Sequence, residues 1–93
     1  MEIRGLTAAD CPEVLSLWAR AGLAVDVEGR DSSDSLQEQL ETFSETYLVA
    51  EDDGRIVGVA LGTHDGRKGW INRLAVDPAH RRRGVAEALV REI

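Results

Sequence analysis

Three consecutive arginines and a glycine stand where an extended segment gives way to a helical pattern. Residues 70–76 are typical of a strand, Asp77 and Pro78 interrupt it, and an apolar helical pattern covers 86–93. The turn between them reads Arg81-Arg82-Arg83-Gly84. The first N–H groups of a helix have no carbonyl partner inside it and lie at the positive end of its dipole. Glycine allows close approach to the backbone and guanidinium groups match phosphate oxygens, so this turn is predicted to bind a phosphate or pyrophosphate.

The same segment resembles the acetyl-CoA signature of the GNAT N-acetyltransferase superfamily. The matching residues are the strand end Leu74-Ala75-Val76-Asp77-Pro78, the pattern Arg81-x-x-Gly84-x-Ala86, and Leu89 in the helix. A glycine motif alone is a weak signal, and the preceding strand with its Asp-Pro break makes it a strong one. The alternative interpretation is a capped strand-to-helix turn with solvated arginines.

The resemblance implies a set of coenzyme-binding residues. Backbone N–H groups of residues 82–87 would hold the pyrophosphate, and the arginine side chains would screen it or bind the 3′-phosphate. Backbone groups of Leu74 and Val76 would pair with pantetheine as with a strand, and one strand N–H would polarise the thioester carbonyl. The predicted cofactor-binding residues are Leu74, Ala75, Val76, Arg81, Arg82, Arg83, Gly84, Val85, Ala86 and Glu87.

The reaction implied by the resemblance is direct transfer of the acetyl group of acetyl-CoA to an amine, on a small molecule or on a protein. The sequence does not identify the catalytic residues. Glu51, near a strand end, is a candidate base, and Asn72 is a candidate to orient a water. Arg73 is a candidate to bind a carboxylate on the acceptor. A surface or pairing role is the alternative for each of these three residues.

The polar segment 23–34 is expected to be a loop because it is rich in glycine, aspartate and serine. In the family pattern this region borders the acceptor site. Asp26, Glu28, Arg30 and Asp31 are therefore candidates to contact an amine substrate. The alternative is a solvated loop that carries helix caps, which is common for surface acids.

Length and charge limit the class of protein. The chain has 93 residues, which predicts one domain covering 1–93, and its formal net charge is -6. An acidic surface argues against non-specific binding of nucleic acid. Six of the eleven basic residues nevertheless lie between positions 67 and 83. A locally positive region on an acidic body suits a small anionic cofactor.

Other features favour an intracellular protein without metal. Cys11 is the only cysteine, so no internal disulfide is possible, and it is expected to be structural. No apolar run approaches the length of a membrane span, and the first residues lack the pattern of a signal peptide. His64 and Asp65 are expected to be an exposed turn pair, and His80 stands alone. The chain is therefore predicted to be cytoplasmic and to bind no metal.

The order of elements is predicted to be β-α-α-β-β-β-α, a mixed α+β arrangement that corresponds to part of the GNAT fold. Strands are expected over 1–6, 47–51, 56–62 and 70–76. Helices are expected from Thr7 to a glycine C′ position at Gly22, and from a cap at Ser32 or Ser33. A third helix is expected over 86–93. The strand 56–62 is apolar on both faces, which predicts a central strand covered on both sides.

A complete GNAT domain continues beyond the elements found here, and the resemblance covers its first half to two-thirds. Residues 70–76 are therefore expected to form an open edge, which predicts self-association through that edge or continuation in a longer chain. The competing function is a non-catalytic CoA-binding fragment or regulatory module. A nucleotide-binding enzyme is disfavoured because the chain has no Gly-x-x-x-x-Gly-Lys-Ser/Thr.

Overall fold

The computed structural model describes residues 1–24, 29, 32–81 and 83–93. Within these ranges the strands are β1 (Glu2–Gly5), β2 (Tyr47–Asp52), β3 (Arg55–His64) and β4 (Gly69–Val76). The α-helices are α1 (Cys11–Arg20), α2 (Ser33–Phe43) and α3 (Val85–Glu92), and single 3-10 turns cover Ala8–Asp10 and Pro78–His80. The mixed α+β class and the order of strands and α-helices predicted from the sequence are confirmed.

The four strands form one antiparallel sheet in the order β1-β2-β3-β4. The apolar residues of β3 are buried on both faces, as predicted, because the sheet is covered by helices on both sides. Helices α1 and α2 pack against one face, where Trp18, Leu17 and Leu36 are fully buried. Helix α3 packs against the other face through Val85 and Leu89. The sheet therefore separates two layers, and the basic turn belongs to the α3 layer.

Two glycines adopt positive φ values where the chain turns. Gly22 has φ 78° just after α1, in agreement with its expected C′ role. Asp53 and Gly54 both have positive φ, at 52° and 76°, which is typical of an Asp-Gly hairpin turn. The helix expected from Thr7 differs, because Ala8–Asp10 form a 3-10 turn and the α-helix begins at Cys11.

An ion-pair cluster holds β1 against the start of α1. The Arg4 guanidinium donates through Nε to Glu51 at 2.8 Å and through both terminal nitrogens to Asp10, at 2.8 and 3.0 Å. The Thr7 N–H and hydroxyl also donate to the Asp10 carboxylate. These bonds, led by the one from Arg4, lower the pKa of Asp10 from 3.8 to about 2.

The lowered pKa of Asp10 predicts a stability that depends on pH in acid. Because the folded pKa lies below the unfolded one, the stabilisation is complete above the unfolded pKa and is lost as the pH falls through about 2. Asp10→Asn is expected to lower the free energy of unfolding by about 1–2 kcal/mol at neutral pH and by little near pH ~2. Urea unfolding at several pH values measures this difference. Glu92→Gln, at the exposed end of α3, serves as the control. A difference that does not change with pH would contradict this role for Asp10.

The lone cysteine is part of the core. Cys11 is 0% exposed and packs in the α1 layer, as its expected structural role requires. Burial raises the pKa of its thiol.

The described helices are all too short or too polar to cross a lipid bilayer. Within the same residues, no three acidic, histidine or cysteine side chains gather as metal ligands.

Candidate functional site

Gly84 occupies the N-cap of α3 in a left-handed conformation, with φ 77° and ψ 13°. A Cβ at this position would meet no heavy atom within 4 Å, so the space in front of the backbone is open. A residue with a side chain would be strained here, whereas glycine adopts the conformation readily. The backbone thus turns sharply into the helix and leaves room for a ligand at its N-terminus.

A recess of about 220 Å³ lies against this turn, and we call it the turn recess. It is lined by Val76, His80, Arg81, Gly84, Val85, Ala86 and Glu87. Six of these seven residues belong to the cofactor-binding set predicted from the sequence, and His80 is the addition. The structure therefore brings the end of β4 and the start of α3 together around one cavity.

The start of α3 presents backbone donors to this recess. The Ala88 N–H donates to the Gly84 carbonyl at 3.0 Å, which closes the first turn of the helix. Among the described residues, no group accepts a hydrogen bond from the N–H groups of Val85 and Glu87. Unpartnered donors at the positive end of a helix favour an anion. Arg83 is exposed beside the turn, and Arg82 lies outside the described residues.

The end of β4 contributes mainly backbone. Ala75 is only 4% exposed and its side chain belongs to the core, whereas Leu74 is 37% exposed. Leu74, Ala75 and Val76 pair with Ala60, Val59 and Gly58 of β3. Among the described strands β4 has no second neighbour, because it lies at the end of the sheet order. Its outer edge therefore offers backbone groups to an extended ligand or to another strand.

Asp77 anchors the strand end, a role that the sequence analysis did not predict. Its N–H donates to the Val57 carbonyl at 2.8 Å, and its carboxylate accepts from the Ala79 N–H at 2.9 Å and from the Arg20 Nε at 3.2 Å. The Ala79 hydrogen bond and the nearby Arg20 lower the pKa of Asp77. The sequence does contain one relevant signal, since an aspartate directly before a proline is a common helix cap. Arg20, the partner of Asp77 in α1, is 57 positions away, and nothing near Asp77 in the sequence indicates this ion pair.

The two candidate catalytic residues lie far apart. Glu51 pairs with Ile56 near one end of β3, whereas Asn72 lies beside Leu61 and Gly62 near the other end. At ~3.3 Å per residue this separation of five to six residues is about 17–20 Å along the sheet. The Glu51 carboxylate also accepts a hydrogen bond from Arg4. The structure therefore does not bring the two candidates to one reacting atom.

A second cavity of about 370 Å³, which we call the polar pocket, opens on the α1 and α2 side of the sheet. It is lined by Gln39, Phe43, Tyr47, Leu61, Thr63, Asn72 and Arg73. The Tyr47 hydroxyl donates to the Gln39 side-chain oxygen at 2.6 Å, and the Asn72 amide donates to the Thr63 hydroxyl at 2.6 Å. Burial raises the pKa of Tyr47. The sequence analysis predicted none of the pocket's helix residues.

Two further predictions have different outcomes. Asp26, Glu28, Arg30 and Asp31, the loop candidates for amine contact, all lie outside the described residues. His64 and Asp65 are exposed next to the β3–β4 turn, as expected. The Asp65 carboxylate accepts hydrogen bonds from the N–H groups of Arg67 and Lys68, so it stabilises the turn.

Comparison with known proteins adds independent information. Residues 11–93 match the family model described as the acetyltransferase (GNAT) family. An acetyltransferase of Photorhabdus laumondii is 38% identical over 90 residues, and one of Sodalis glossinidius is 37% identical over 90 residues. Each alignment covers 97% of this chain and 62% of the relative, so the chain spans less than two-thirds of their length.

Solved structures show the same architecture. The diaminobutyrate acetyltransferase of Paenibacillus lautus, solved with L-2,4-diaminobutyric acid and coenzyme A, has a TM-score of 0.80 and 27% identity. That match covers 97% of this chain and 54% of the other. An N-acetyltransferase of Thermoplasma acidophilum, solved with coenzyme A, has a TM-score of 0.81 at 19% identity, covering 98% and 67%. At 19% identity, this second match shows only that the two proteins share a fold.

Proposed function

Because the chain belongs to the acetyltransferase (GNAT) family, we propose that it binds acetyl-CoA and serves direct transfer of the acetyl group to an amine. The observation that carries this proposal is the turn recess, where Gly84 caps α3 with open space before it. Homologues named as acetyltransferases support acyl transfer in general. The coenzyme, the acceptor class and the residue roles are part of the proposal.

The turn recess has the properties that a diphosphate requires. The left-handed glycine exposes the backbone donors at the start of α3, and any side chain at position 84 would project into the open space. Arg81 lines the recess, Arg83 stands exposed beside it, and Arg82 is proposed to join them. Backbone donors and guanidinium groups together offset the charge of phosphate oxygens. We assign the diphosphate to the backbone of residues 82–87 on this basis.

The open edge of β4 is proposed to hold the pantetheine arm. Its amide groups resemble those of a peptide strand, so the backbone of Leu74 and Val76 offers matching donors and acceptors. This path leads from the turn recess toward Asn72, which lines the polar pocket. A donor fixed at the strand edge would stabilise negative charge on a thioester oxygen during attack. The strand and the helix turn would thus hold the two ends of one coenzyme.

The acceptor is proposed to be an amine on a small molecule or on a protein. The Paenibacillus relative was solved with a small diamino acid, which supports a small amine. A protein amino group remains the second class, since one structural neighbour is a ribosomal-protein alanine N-acetyltransferase at 21% identity. The base and acid are not assigned. Asn72 stays a candidate to orient a water, and Glu51 is less suited because Arg4 already binds its carboxylate.

Calorimetric titration with acetyl-CoA and coenzyme A, followed by a thiol-release assay with amines, tests the proposal. We expect saturable binding of both coenzymes and amine-dependent release of thiol. Desulfo-coenzyme A serves as the control, since it keeps the diphosphate and lacks the thiol. Absence of binding to all three compounds would reject the proposed site.

The alternative function is a CoA-binding module without catalysis. The observation that favours it is that the chain spans 62% of the length of the two relatives, so catalytic groups of those proteins can lie in the portion not matched. Tight binding of coenzyme A with no amine-dependent thiol release would favour this alternative.

We propose further that residues 1–93 form a single partial GNAT domain. We also propose that the protein functions in the cytoplasm and that it binds neither nucleic acid nor membrane.

The open edge of β4 also predicts self-association. Trp70 is 51% exposed and Ile71 is 42% exposed on this strand, and an edge with apolar side chains recruits other strands. We expect a concentration-dependent dimer in sedimentation velocity, and we expect Ile71→Lys to shift it toward monomer. Val90→Lys, an equally exposed site on α3, is the control. A wild-type protein that stays monomeric at high concentration would contradict this prediction.

A further inference from the structure

His80 lines the turn recess where the chain passes from β4 to α3. Its position is fixed by the backbone, because the His80 N–H donates to the Asp77 carbonyl at 2.8 Å. The Asp77 carboxylate also accepts from the Ala79 N–H, and together these bonds close the 3-10 turn Pro78–His80. The His80 side chain is 22% exposed, so a ligand in the recess would lie beside a partly buried ring.

Two carboxylates flank the imidazole of His80, one near each ring nitrogen. Nε2 lies 3.9 Å from an oxygen of Asp52 at the end of β2, and Nδ1 lies 3.9 Å from an oxygen of Asp77. Nδ1 is buried and has no hydrogen-bond partner among the described residues. Ionised carboxylates only accept hydrogen bonds, and a neutral imidazole carries a hydrogen on just one nitrogen. Only the protonated ring therefore presents a donor to both carboxylates, and their charge favours that form.

His80 differs from the charged groups around it in its response to pH. The other charged groups that pair with these carboxylates or line the recess are Arg20, Arg81, Glu87 and the amino group of Met1. Guanidinium groups and carboxylates ordinarily keep their charge throughout the neutral range. The Met1 amino group lies near Asp52, at 3.7 Å, and does not line the recess. Among the described residues of the recess, His80 is thus the one whose charge ordinarily changes near neutral pH.

We propose that His80 is a further coenzyme-binding residue, which takes up a proton from solvent as the diphosphate enters the turn recess. The inference rests on the proposed function and adds a dependence of that site on pH. A diphosphate brings more negative charge to a ring that two carboxylates already flank, so it favours the imidazolium further. Because the complex then holds more protons than the separate components, binding becomes tighter as the pH falls.

An NMR titration of the full chain against pH, with and without 3′-dephospho-coenzyme A, follows the proton directly. This ligand keeps the diphosphate and lacks the 3′-phosphate, a group that would itself titrate near pH ~6. The two histidines of the chain, His64 and His80, each give a ring resonance. We expect the midpoint of the His80 titration to rise by about one pH unit or more in the complex. His64, exposed at the opposite end of β4, is the internal control and is expected to keep its midpoint.

Calorimetry measures the consequence for affinity. From pH ~8 to pH ~6, the affinity of the wild type for dephospho-coenzyme A is expected to rise about three- to tenfold. The heat measured in buffers of different ionisation enthalpy is expected to show net uptake of a fraction of a proton. His80→Gln is expected to abolish both effects. His80→Lys, which stays positive over this range, is expected to bind at pH ~8 at least as tightly as the wild type, and His64→Gln is expected to behave as the wild type does.

The outcomes separate this inference from the proposed function. Coenzyme binding without a change in the His80 titration would overturn the inference and leave the proposed function standing. Proton uptake that persists in a folded His80→Gln protein would also overturn it, since the proton would then reside on another group. Absence of binding of both coenzyme A and dephospho-coenzyme A would reject the proposed function and the coupling together. The backbone spectrum reports whether each variant is folded, and the titration of the wild type decides the question without any variant.

Discussion

Replacing Gly84 by aspartate is expected to reduce coenzyme A affinity at least about 100-fold, a loss of about 2.7 kcal/mol. The reason is steric and electrostatic. A side chain at this position projects into open space at the N-cap of α3, where the diphosphate is proposed to lie. A carboxylate there would occupy the recess and repel the phosphate oxygens. Isothermal titration calorimetry of the folded variant measures the loss.

Two control variants separate charge from backbone strain. Gly84→Ala introduces the strain of a left-handed residue, about 1 kcal/mol, without the charge, and is expected to weaken binding only modestly. Gly66→Asp introduces the same charge at another positive-φ glycine, with φ 90° and no heavy atom near its Cβ, at the opposite end of β4. It is expected to bind coenzyme normally. Normal affinity in Gly84→Asp itself would place the diphosphate elsewhere.

Gly58→Ala is expected to destabilise the fold by about 1–3 kcal/mol through overpacking. Gly58 lies on β3 directly beneath α3, and an added Cβ would stand 2.6 Å from Val85 Cγ1 and 3.1 Å from Leu89 Cδ1. Val85 cannot easily move aside, because β-branched residues in helices have one strongly preferred rotamer. The helix must therefore shift outward. Urea unfolding measures the cost, and a shifted α3 is also expected to weaken coenzyme binding.

A double-mutant cycle identifies the contact. Val85→Ala removes the methyl groups that the new Cβ would meet, so Gly58→Ala is expected to cost markedly less in that background than in the wild type. Gly69→Ala is the matched control, since its nearest heavy atom would lie at an ordinary 3.7 Å. It is expected to change stability by less than about 0.5 kcal/mol. Additive effects of the two substitutions would show that close packing of α3 does not depend on Gly58.

Features that depend on neighbouring residues were predictable from the sequence. The order of elements followed from apolar periodicity and turn residues. The positive φ of Gly22 followed from its place just after a helix. The predicted residues around Gly84 come together because they are close in the chain. Few backbone dihedral angles lie between them, so local structure is enough to determine their arrangement.

Features that depend on distant pairing were not predictable. The bulge at Asn72 arises from the register between β3 and β4, and a period-two pattern would have placed Asn72 and Arg73 on opposite faces. The ion pair between Glu51 and Arg4 spans 47 positions, and it makes Glu51 less suited to act as a base. The close packing of Gly58 beneath α3 also joins residues that are far apart in sequence. In each case the sequence shows a residue type but not the partner that determines its role.

The burial of Cys11 has a practical consequence for enzymology. Because this side chain at the start of α1 is completely buried, the native protein is expected to contribute little signal when a chromogenic disulfide reagent is used to monitor coenzyme turnover. Under denaturing stress the same atom becomes accessible. Its labelling rate then reports how often the α1 layer opens, without any added probe.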